Sequence, residues 1–334
     1  MKNLNVLVTG ADGFIGSHLC EELVKQGFHV KVLVAYNSFN SIGWLNDLSK
    51  RKLKSIEIIF GDIRDADLIN KISRKINIIF HLAALIAIPY SYRAPRSYIE
   101  TNVLGTLNIL QACMNNSIYK LISTSTSEVY GTAKYTPIDE KHILQAQSPY
   151  AASKIAADHL IESYYKTYKV PAVILRPFNT YGPRQSERAV IPTVIRQIID
   201  PNCKKIKIGD TSPIRDFNFV KDTANAFIKL ASANNVEYGN AYNAGSAIRA
   251  PINLTATAGN DQVTLAWDAP PGVKGITDYR IEYSTDGSSW TTFEHDASNA
   301  VTDVVDSLED STLYFFRVAA ENYSGTQLYK FLSK

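Results

Sequence analysis

The first 245 residues alternate short apolar runs with longer helical runs, and this alternation limits the fold more than any other feature. The apolar runs read NVLVTG, HVKVLVA, IEIIFGD, INIIFHLAA, YKLISTST and PAVILRPF. Strands that are apolar throughout and separated by helices are typical of a parallel sheet that helices cover on both faces. We therefore predict an α/β Rossmann-type, doubly wound parallel sheet for this part of the chain.

The composition changes near Ala250. Residues 1–250 carry 30 Lys and Arg against 20 Asp and Glu, whereas residues 251–334 carry 5 against 12. Beyond this point only short alternating runs and turn residues follow, a pattern that indicates an all-β sandwich. We predict two domains, residues 1–249 and residues 250–334.

Several classes of protein are disfavoured. No apolar run approaches the ~20 residues of a membrane span, and the apolar part of MKNLNVLVTG is too short for a signal peptide. Three cysteines far apart argue against a disulfide framework or a metal site and fit a reducing compartment. No basic cluster suggests nucleic acid, and a mild basic excess before residue 250 suits a small anionic substrate. We expect a cytoplasmic protein without a metal, a membrane or a nucleic-acid partner.

The stretch TGADGFIG places Gly10, Gly13 and Gly16 at the first strand-to-helix turn. Glycines there let the backbone approach a pyrophosphate, and the helix N-terminus favours its charge. The alternative is a tight turn that binds nothing. Asp62, after the third strand, could bond an adenine amino group or cap a helix. Residues 34–36 carry neither the acid nor the Arg that selects NAD or NADP, so that choice stays open.

Tyr150 and Lys154 are four residues apart and share one helix face. An ammonium near a phenol lowers the pKa of the phenol, which would make Tyr150 a usable base near neutral pH. Such a pair by itself is common on protein surfaces. Its place after the Ser/Thr-rich STSTSEVYG in a dinucleotide fold favours a catalytic role.

These motifs carry a family resemblance. Residues 1 to about 246 resemble an extended short-chain dehydrogenase/reductase that acts on nucleotide sugars, through TGADGFIG, GDIRD, HLAA, TNVLGTLNIL, STSEVYG, YAASK, RPFNTYGPR and RDFNFVKD. Within that family, HLAALIAIPYSYRAP and LRPFNTYGPRQSERAVIPTVI resemble the 4,6-dehydratases of legionaminic-type acid pathways.

The resemblance implies four catalytic roles. Tyr150 would take the proton of the sugar 4-hydroxyl while hydride leaves C4, and Lys154 would hold the nicotinamide ribose. Thr126 would hydrogen-bond the 4-hydroxyl, and Glu128 would remove the C5 proton. The 6-hydroxyl then leaves as water, and hydride returns to C6. Many relatives have Asp before this Glu, but this chain has Ser127, as GDP-mannose-type dehydratases do, so Glu128 would serve as both base and acid.

The resemblance also implies binding residues. NAD is the expected cofactor, with NADP as the alternative, and GDP- or UDP-N-acetylglucosamine is the expected substrate. The implied cofactor contacts are Gly10, Gly13, Phe14, Ile15, Gly16, Asp62, Ile63, Leu82, Ala83, Ala84, Tyr150 and Lys154. The implied substrate contacts are Ser127, Asn179, Arg184 and Arg215. For Arg215 the alternative is a structural pair with Asp216 or Asp222.

Glu128 does not fix the reaction. UDP-glucuronate decarboxylases also read TSEVYG, and they are the closest enzymatic alternative. Most 4-epimerases have a small apolar residue at this position, and 4-epimerisation is a further alternative.

The family pattern stops at about residue 246, before the helices and strands that complete its substrate lobe. Residues 250–326 instead resemble a fibronectin type III domain, with core positions at Trp267, Leu308, Tyr314, Phe316 and Val318. The expected result is a dehydratase that binds its cofactor but turns over poorly. A hypothesis of another class is a non-catalytic engineered or accidental chimera with a binding-type β-sandwich.

The long helical runs near residues 95–116 and 148–168 would, by the same resemblance, pair with their copies in a homodimer. We predict that Leu107, Leu110, Ala157 and Ile161 lie on the outer faces of these helices. The alternative is ordinary packing on the sheet.

Overall fold

The computed structural model of the chain describes residues 3–135, 138–209, 215–245, 251–270, 276–322 and 329–333. The chain divides into two compact units, one made chiefly of residues 1–244 and the other chiefly of residues 245–334. We call them the α/β unit and the β unit. The boundary predicted near Ala250 falls on residues 246–250, which lie outside the described residues.

The α/β unit is built on a seven-stranded sheet in the order β3-β2-β1-β4-β5-β6-β9, and all its neighbouring strands are parallel. The predicted Rossmann-type sheet is thereby confirmed. The strands are β1 Asn5–Thr9, β2 His29–Ala35, β3 Ile56–Gly61, β4 Ile78–His81, β5 Lys120–Thr124, β6 Ala172–Pro177 and β9 Ala241–Ala244. A separate parallel pair consists of β7 Asn179–Tyr181 and β8 Phe217–Phe219.

Helices connect these strands. They are α1 Phe14–Lys25, α2 Lys50–Leu53, α3 Ala66–Ile72, α4 Ile88–Ser91, α5 Pro95–Tyr98, α6 Gly105–Asn115, α7 Pro149–Tyr168, α8 Val190–Ile199 and α9 Val220–Ser232. A π-helical segment, Ile99–Leu104, joins α5 to α6, and single 3-10 segments lie at Gly43–Asp47 and Ser127–Tyr130. Helix α7 starts where the Ser148 side chain accepts a hydrogen bond from the N–H of Ala151 at 3.0 Å. It ends at Lys169, whose φ of 58° is left-handed.

Two hydrophobic layers cover the sheet. Because successive side chains of a strand point to opposite faces, Val6 and Val8 pack in one layer and Leu7 in the other. The first layer includes residues of α1 and α9, and the second includes residues of α3, α6 and α7. This packing fixes the carboxyl ends of the strands at one edge of the sheet, where doubly wound folds bind ligands.

The prediction that Leu107, Leu110, Ala157 and Ile161 lie on the outer faces of the long helices was wrong. Leu110, Ala157 and Ile161 are at most 3% exposed. Leu110 and Ile161 belong to the second layer, and Leu107 packs against that layer. A helix on a parallel sheet must bury its apolar stripe against the strands, and these residues form that stripe.

The β unit holds two antiparallel sheets, in the orders β10-β11-β14 and β13-β12-β15-β16. The strands are β10 Ile252–Ala258, β11 Val263–Asp268, β12 Ile276–Ser284, β13 Thr291–Phe293, β14 Thr302–Val305, β15 Phe315–Asn322 and β16 Tyr329–Ser333. All five predicted core residues belong to one buried cluster. The hydroxyl of Tyr314 accepts a hydrogen bond from the N–H of Glu309 at 3.1 Å, as in the tyrosine corner of such sandwiches.

Within the described ranges, no helix combines the length and the apolar character that a membrane span requires. In the same ranges, His, Cys, Asp and Glu side chains form no group of three that could hold a metal ion.

Candidate active site

A cleft of about 1090 Å³ opens where strands β1 to β6 end. Most of the predicted site residues line it, although they are spread over 170 positions of the chain. They are Gly10, Gly13, Phe14, Ile15, Gly16, Asp62, Ile63, Leu82, Ala83, Ala84, Thr126, Ser127, Glu128, Tyr150, Lys154 and Asn179.

The glycine turn after β1 is tightly packed on one side and open on the other. Gly10 has a φ of +69°, and a Cβ there would lie 2.7 Å from the backbone N of Ala83. A Cβ on Gly16 would lie 2.2 Å from the carbonyl oxygen of Gly10, whereas a Cβ on Gly13 would meet that oxygen at 3.3 Å and nothing else within 4 Å. Gly13 therefore borders free space in the cleft.

Helix α1 begins at this turn, and no side chain caps its first N–H groups. The first four N–H groups of a helix have no intrahelical acceptor, and the helix dipole adds partial positive charge there. The first N–H groups of α1, next to the open side of Gly13, can therefore bind an anion. These residues therefore fit the pyrophosphate of a dinucleotide.

At the far side of the turn, Asp62 lines the cleft and binds Arg64, which donates from Nε at 3.0 Å. The hydrogen bond from Arg64 holds the pKa of the Asp62 carboxyl below its ordinary value. The alternative that Asp62 caps a helix was wrong, because α3 is capped by Asp65, which accepts from the N–H of Leu68 at 3.0 Å.

Asp12, inside TGADGFIG, is a cleft residue that was not predicted. Asp12 lines the cleft, as does Ala35 at the end of β2. Burial raises the pKa of its carboxyl. The residue was not recognised because the acid that binds the ribose is expected at the end of the second strand, not in the first turn.

Tyr150 and Lys154 lie in the first two turns of α7 and are 7% and 5% exposed. Burial raises the pKa of Tyr150 to about 12, and a hydrogen bond with Thr126 opposes this shift. Burial lowers the pKa of Lys154 to about 8, and its ammonium donates to the carbonyl oxygen of Thr124. The predicted lowering of the Tyr150 pKa by Lys154 is therefore not observed. Burial of the phenol dominates, and the ammonium is bound to a carbonyl instead.

Thr126 and Glu128 complete the constellation. The hydroxyl of Thr126 accepts from the N–H of Glu128 at 3.2 Å and starts the 3-10 segment Ser127–Tyr130. Glu128 is half-buried, and its negative charge raises the pKa of Tyr150. A carboxylate, a hydroxyl, a phenol and an ammonium thus line the same cleft. They can bind a hydroxyl group and move protons to and from it.

The predicted substrate contacts divide into two groups. Ser127 and Asn179 line the cleft, and Arg184 and Arg215 are not among its lining residues. The guanidinium of Arg184 instead pairs with Glu21 of α1 at 3.2 Å and with Asp47 at 3.6 Å. Arg215 is exposed and directly follows residues 210–214, which lie outside the described residues.

A doubly wound sheet with a glycine turn and a buried Tyr-x-x-x-Lys pair at its carboxyl edge is typical of the short-chain dehydrogenases/reductases. The GDP-mannose 4,6 dehydratase family model matches residues 7–268, and the chain belongs to that family. A fibronectin type III domain follows, matched over residues 249–330. The two matches overlap at residues 249–268, where β10 and β11 pair with each other in the β unit.

The chain is 35% identical over 262 residues to the dTDP-D-glucose 4,6-dehydratase of Dictyostelium discoideum, and the match covers 72% of this chain and 58% of that protein. It therefore spans less than two thirds of this relative's length. The UDP-N-acetylglucosamine 4-epimerase of Methanobrevibacter ruminantium, in complex with UDP-N-acetylmuramic acid, superposes with a TM-score of 0.67 at 36% identity over 73% of this chain and 77% of that one. DesIV, a dTDP-glucose 4,6-dehydratase of Streptomyces venezuelae with NAD bound, gives a TM-score of 0.62 at 28% identity over 72% and 75%.

Proposed function

We propose that the α/β unit is a nucleotide-sugar 4,6-dehydratase that uses NAD, with NADP as the alternative for the same cleft. The observation that carries this proposal is the convergence of Thr126, Glu128, Tyr150 and Lys154 in a cleft that also holds the glycine turn. The similar dehydratase DesIV has NAD bound, which supports the choice of cofactor.

The residues act in a defined order in this proposal. Tyr150, with Thr126 beside it in the cleft, accepts the 4-hydroxyl proton, and Lys154 would hold the nicotinamide ribose. A nicotinamide held beside Tyr150 and Lys154 would supply the hydride acceptor for C4 and the hydride donor for C6. Glu128 takes the C5 proton, which the new 4-ketone makes acidic, and returns a proton to the 6-hydroxyl so that it leaves as water. Hydride return to C6 would be accompanied by a proton from solvent at C5, and Tyr150 would give up the 4-hydroxyl proton to solvent. The product would keep the 4-ketone, and the cofactor would not be consumed.

The proposed substrate is a nucleoside-diphosphate hexose, with GDP- and UDP-N-acetylglucosamine as first choices. The excess of Lys and Arg before residue 250 suits an anionic diphosphate. Binding of a uridine-linked sugar by a similar epimerase supports the class. Incubation of the chain with NAD and each nucleotide sugar, followed by mass spectrometry, tests the proposal. Loss of water from the sugar is expected. Loss of carbon dioxide from UDP-glucuronate would instead establish the decarboxylase.

The similarity to an epimerase favours 4-epimerisation as the second candidate. The two reactions differ in their need for Glu128, because epimerisation at C4 needs no proton transfer at C5. In Glu128→Gln, a dehydratase loses incorporation of deuterium from heavy water at C5 but keeps transient reduction of NAD. An epimerase shows no such incorporation in either chain.

We propose that turnover of this chain is impaired because the dehydratase match gives way to the fibronectin type III match before the family's substrate lobe is complete. The match covers 58% of the Dictyostelium relative. Two or three lost charge-assisted contacts at ~1.5–3 kcal/mol each would weaken substrate binding by orders of magnitude. The net −7 charge of residues 251–334 is unsuited to binding a diphosphate. A steady-state assay beside a chain that carries a complete family lobe tests this, and equal kcat/KM values would contradict it.

We also propose that residues 250–334 form a separate domain that serves as a binding or folding unit. Cleavage near Ala250 followed by unfolding of each part tests it. A β unit that does not fold alone would contradict the boundary.

The homodimer remains a proposal, with new contact residues. Helices α6 and α7 lie side by side, and the Gln111 amide donates to the hydroxyl of Tyr164 at 2.5 Å. Leu104 and Met114 are 46% and 39% exposed on the α6 side. Sedimentation at micromolar concentration should show a dimer that Leu104→Glu converts to a monomer. A monomeric wild-type chain would contradict the proposal.

A further inference from the structure

A buried ion pair lies behind the cleft, and the reaction proposed above does not use it. Arg176 of β6 donates from Nε at 3.1 Å and from Nη2 at 3.0 Å to one carboxylate oxygen of Asp158 on α7. The two side chains are 6% and 5% exposed. Neither residue is among those that line the cleft.

This ion pair holds both ends of one short segment. The hydroxyl of Ser125 donates to the same oxygen of Asp158 at 2.9 Å. At the other end, Nη1 of Arg176 donates to the hydroxyl of Tyr130 at 2.9 Å, and the guanidinium lies 5.1 Å from the centre of the tyrosine ring. We call residues 125–130 the arm. Thr126 and Glu128 lie between its two tied ends.

Further contacts continue the network on either side. The hydroxyl of Tyr130 donates to the side-chain carbonyl of Asn243 in β9 at 2.7 Å, which ties the arm to the last strand of the sheet. The carbonyl of Thr124, just before the arm, accepts from Lys154. Asp158 follows Lys154 by one helical turn, so one face of α7 carries both a cleft residue and an anchor of the arm.

A role in stability alone accounts poorly for this arrangement. Removing two charges from water offsets much of their attraction, and buried ion pairs are often replaceable by apolar residues without loss of stability. A side chain with five donors in a rigid fork is suited to another task, which is to hold several groups in one geometry. Arg176 does so for Asp158 and Tyr130.

We infer that the Asp158–Arg176 pair is a positioning device that fixes the arm so that Thr126 and Glu128 lie beside Tyr150. The inference deepens the proposed function and rests on it for its catalytic part. Loss of either tie should impair proton transfer by Glu128 much more than it impairs cofactor binding, because the glycine turn has no contact with the arm in this network. The other cofactor residue, Lys154, is bound to the carbonyl of Thr124, which precedes the arm and is held by neither tie.

The experiment uses the full chain with two variants that leave the cleft residues in place. Tyr130→Phe removes one tie, and Asp158→Asn removes the charge that holds the other. Two matched controls make the same chemical changes on the exposed face of α7. Tyr168→Phe deletes a hydroxyl from a side chain that is 55% exposed. Glu162→Gln neutralises a carboxylate that pairs with the surface residues His159 and Lys166.

Three quantities are measured on each chain: amide hydrogen exchange of peptides covering residues 123–131, the Kd for NAD, and deuterium incorporation at the sugar C5. Tyr130→Phe and Asp158→Asn should raise exchange in the arm about tenfold or more. They should change the Kd for NAD by less than about threefold and slow C5 incorporation about tenfold or more. Both controls should match the wild type.

Unchanged exchange in the arm would overturn the inference. So would exchange that rises equally across the whole α/β unit in Tyr130→Phe, which leaves the ion pair intact, or a Kd for NAD in that variant that weakens as much as C5 incorporation slows. A merely structural role predicts those results. If Asp158→Asn does not fold, Tyr130→Phe decides the outcome. If the wild type turns over no nucleotide sugar, the proposed function fails, and local exchange together with the Kd for NAD decides the positioning role alone.

Discussion

The glycine turn allows a test that separates folding from cofactor binding, because two of its glycines differ in their surroundings. In Gly16→Ala the new Cβ would lie 2.2 Å from the carbonyl oxygen of Gly10 and 2.9 Å from the Cα of Ala11. Both neighbours are backbone atoms in a tight turn, so the chain must shift. Overpacking of this kind costs about 1–3 kcal/mol. The better helix propensity of Ala returns at most about 1 kcal/mol. We expect a net loss of stability.

Gly13→Ala should leave stability nearly unchanged. Its φ of −80° and ψ of 178° are open to any residue, and its one contact, at 3.3 Å, requires only a small shift. A lower entropy of the unfolded chain adds about 0.4–1 kcal/mol in favour of the variant. The free energy of unfolding should therefore stay within about 1 kcal/mol of the wild type.

Cofactor binding should respond differently from stability at this position. The Cβ on Gly13 projects into the open side of the turn, where the pyrophosphate would approach the N–H groups of α1. Loss of one or two of those hydrogen bonds costs about 1.5–3 kcal/mol and weakens NAD binding roughly 10- to 100-fold.

Scanning calorimetry of the α/β unit's transition and titration calorimetry with NAD measure the two effects in the same samples. The expected pattern is a stable Gly13→Ala with weak NAD binding and a destabilised Gly16→Ala. A Gly13→Ala chain that binds NAD as tightly as the wild type would refute the reasoning, because the backbone would then not meet the cofactor at this turn.

Three further predictions concern buried charges and exposed apolar surface. Lys154→Met should stabilise the chain at pH 7, because burying the ammonium lowers the pKa of Lys154 from 10.5 to about 8 and so costs up to about 3 kcal/mol. Between pH 8 and pH 10.5 the unfolded wild-type chain binds more protons than the folded one, so the stability of the wild type rises with pH. The difference in urea midpoint between Lys154→Met and the wild type should therefore shrink from pH 8 to pH 10. A constant difference would contradict the prediction. Arg176→Met leaves the Asp158 carboxylate buried without its cation and should lower the free energy of unfolding by about 3–5 kcal/mol at pH 7. The loss should be smaller at pH 5, where the carboxyl is more readily protonated. An equal loss at both pH values would count against this prediction. Replacing three exposed isoleucines of α8 with Gln should lower the binding of a hydrophobic dye and change the free energy of unfolding by no more than about 0.5 kcal/mol. Unchanged dye binding would argue against an open apolar face on this helix. These residues are Ile195, Ile198 and Ile199, which are 51%, 63% and 73% exposed.

The sequence by itself determined the positions of the main helices and strands and the fold class of each part of the chain. Local pattern decides these features, so β2 at His29–Ala35 and α7 at Pro149–Tyr168 coincide with the runs predicted for them. In a parallel sheet the helical crossovers bring the carboxyl ends of all strands to the same edge of the sheet. The grouping of the site residues at that edge could therefore also be predicted from the sequence. The buried positions Tyr314, Phe316 and Val318 of the sandwich were likewise visible as alternation with period two.

The tertiary structure decided which partners the polar groups have, and no local pattern contains that information. Arg184 pairs with Glu21, which lies 163 positions earlier, and Arg184 is not among the residues that line the cleft. Burial, not the neighbouring ammonium, sets the pKa of Tyr150, and burial depends on every element around α7. Asp158 and Arg176 belong to different elements, and only the packing of α7 on β6 brings them together under the arm that carries Thr126 and Glu128. Charge and hydrogen-bond energies depend on distance and desolvation, which the fold fixes and the order of residues does not display.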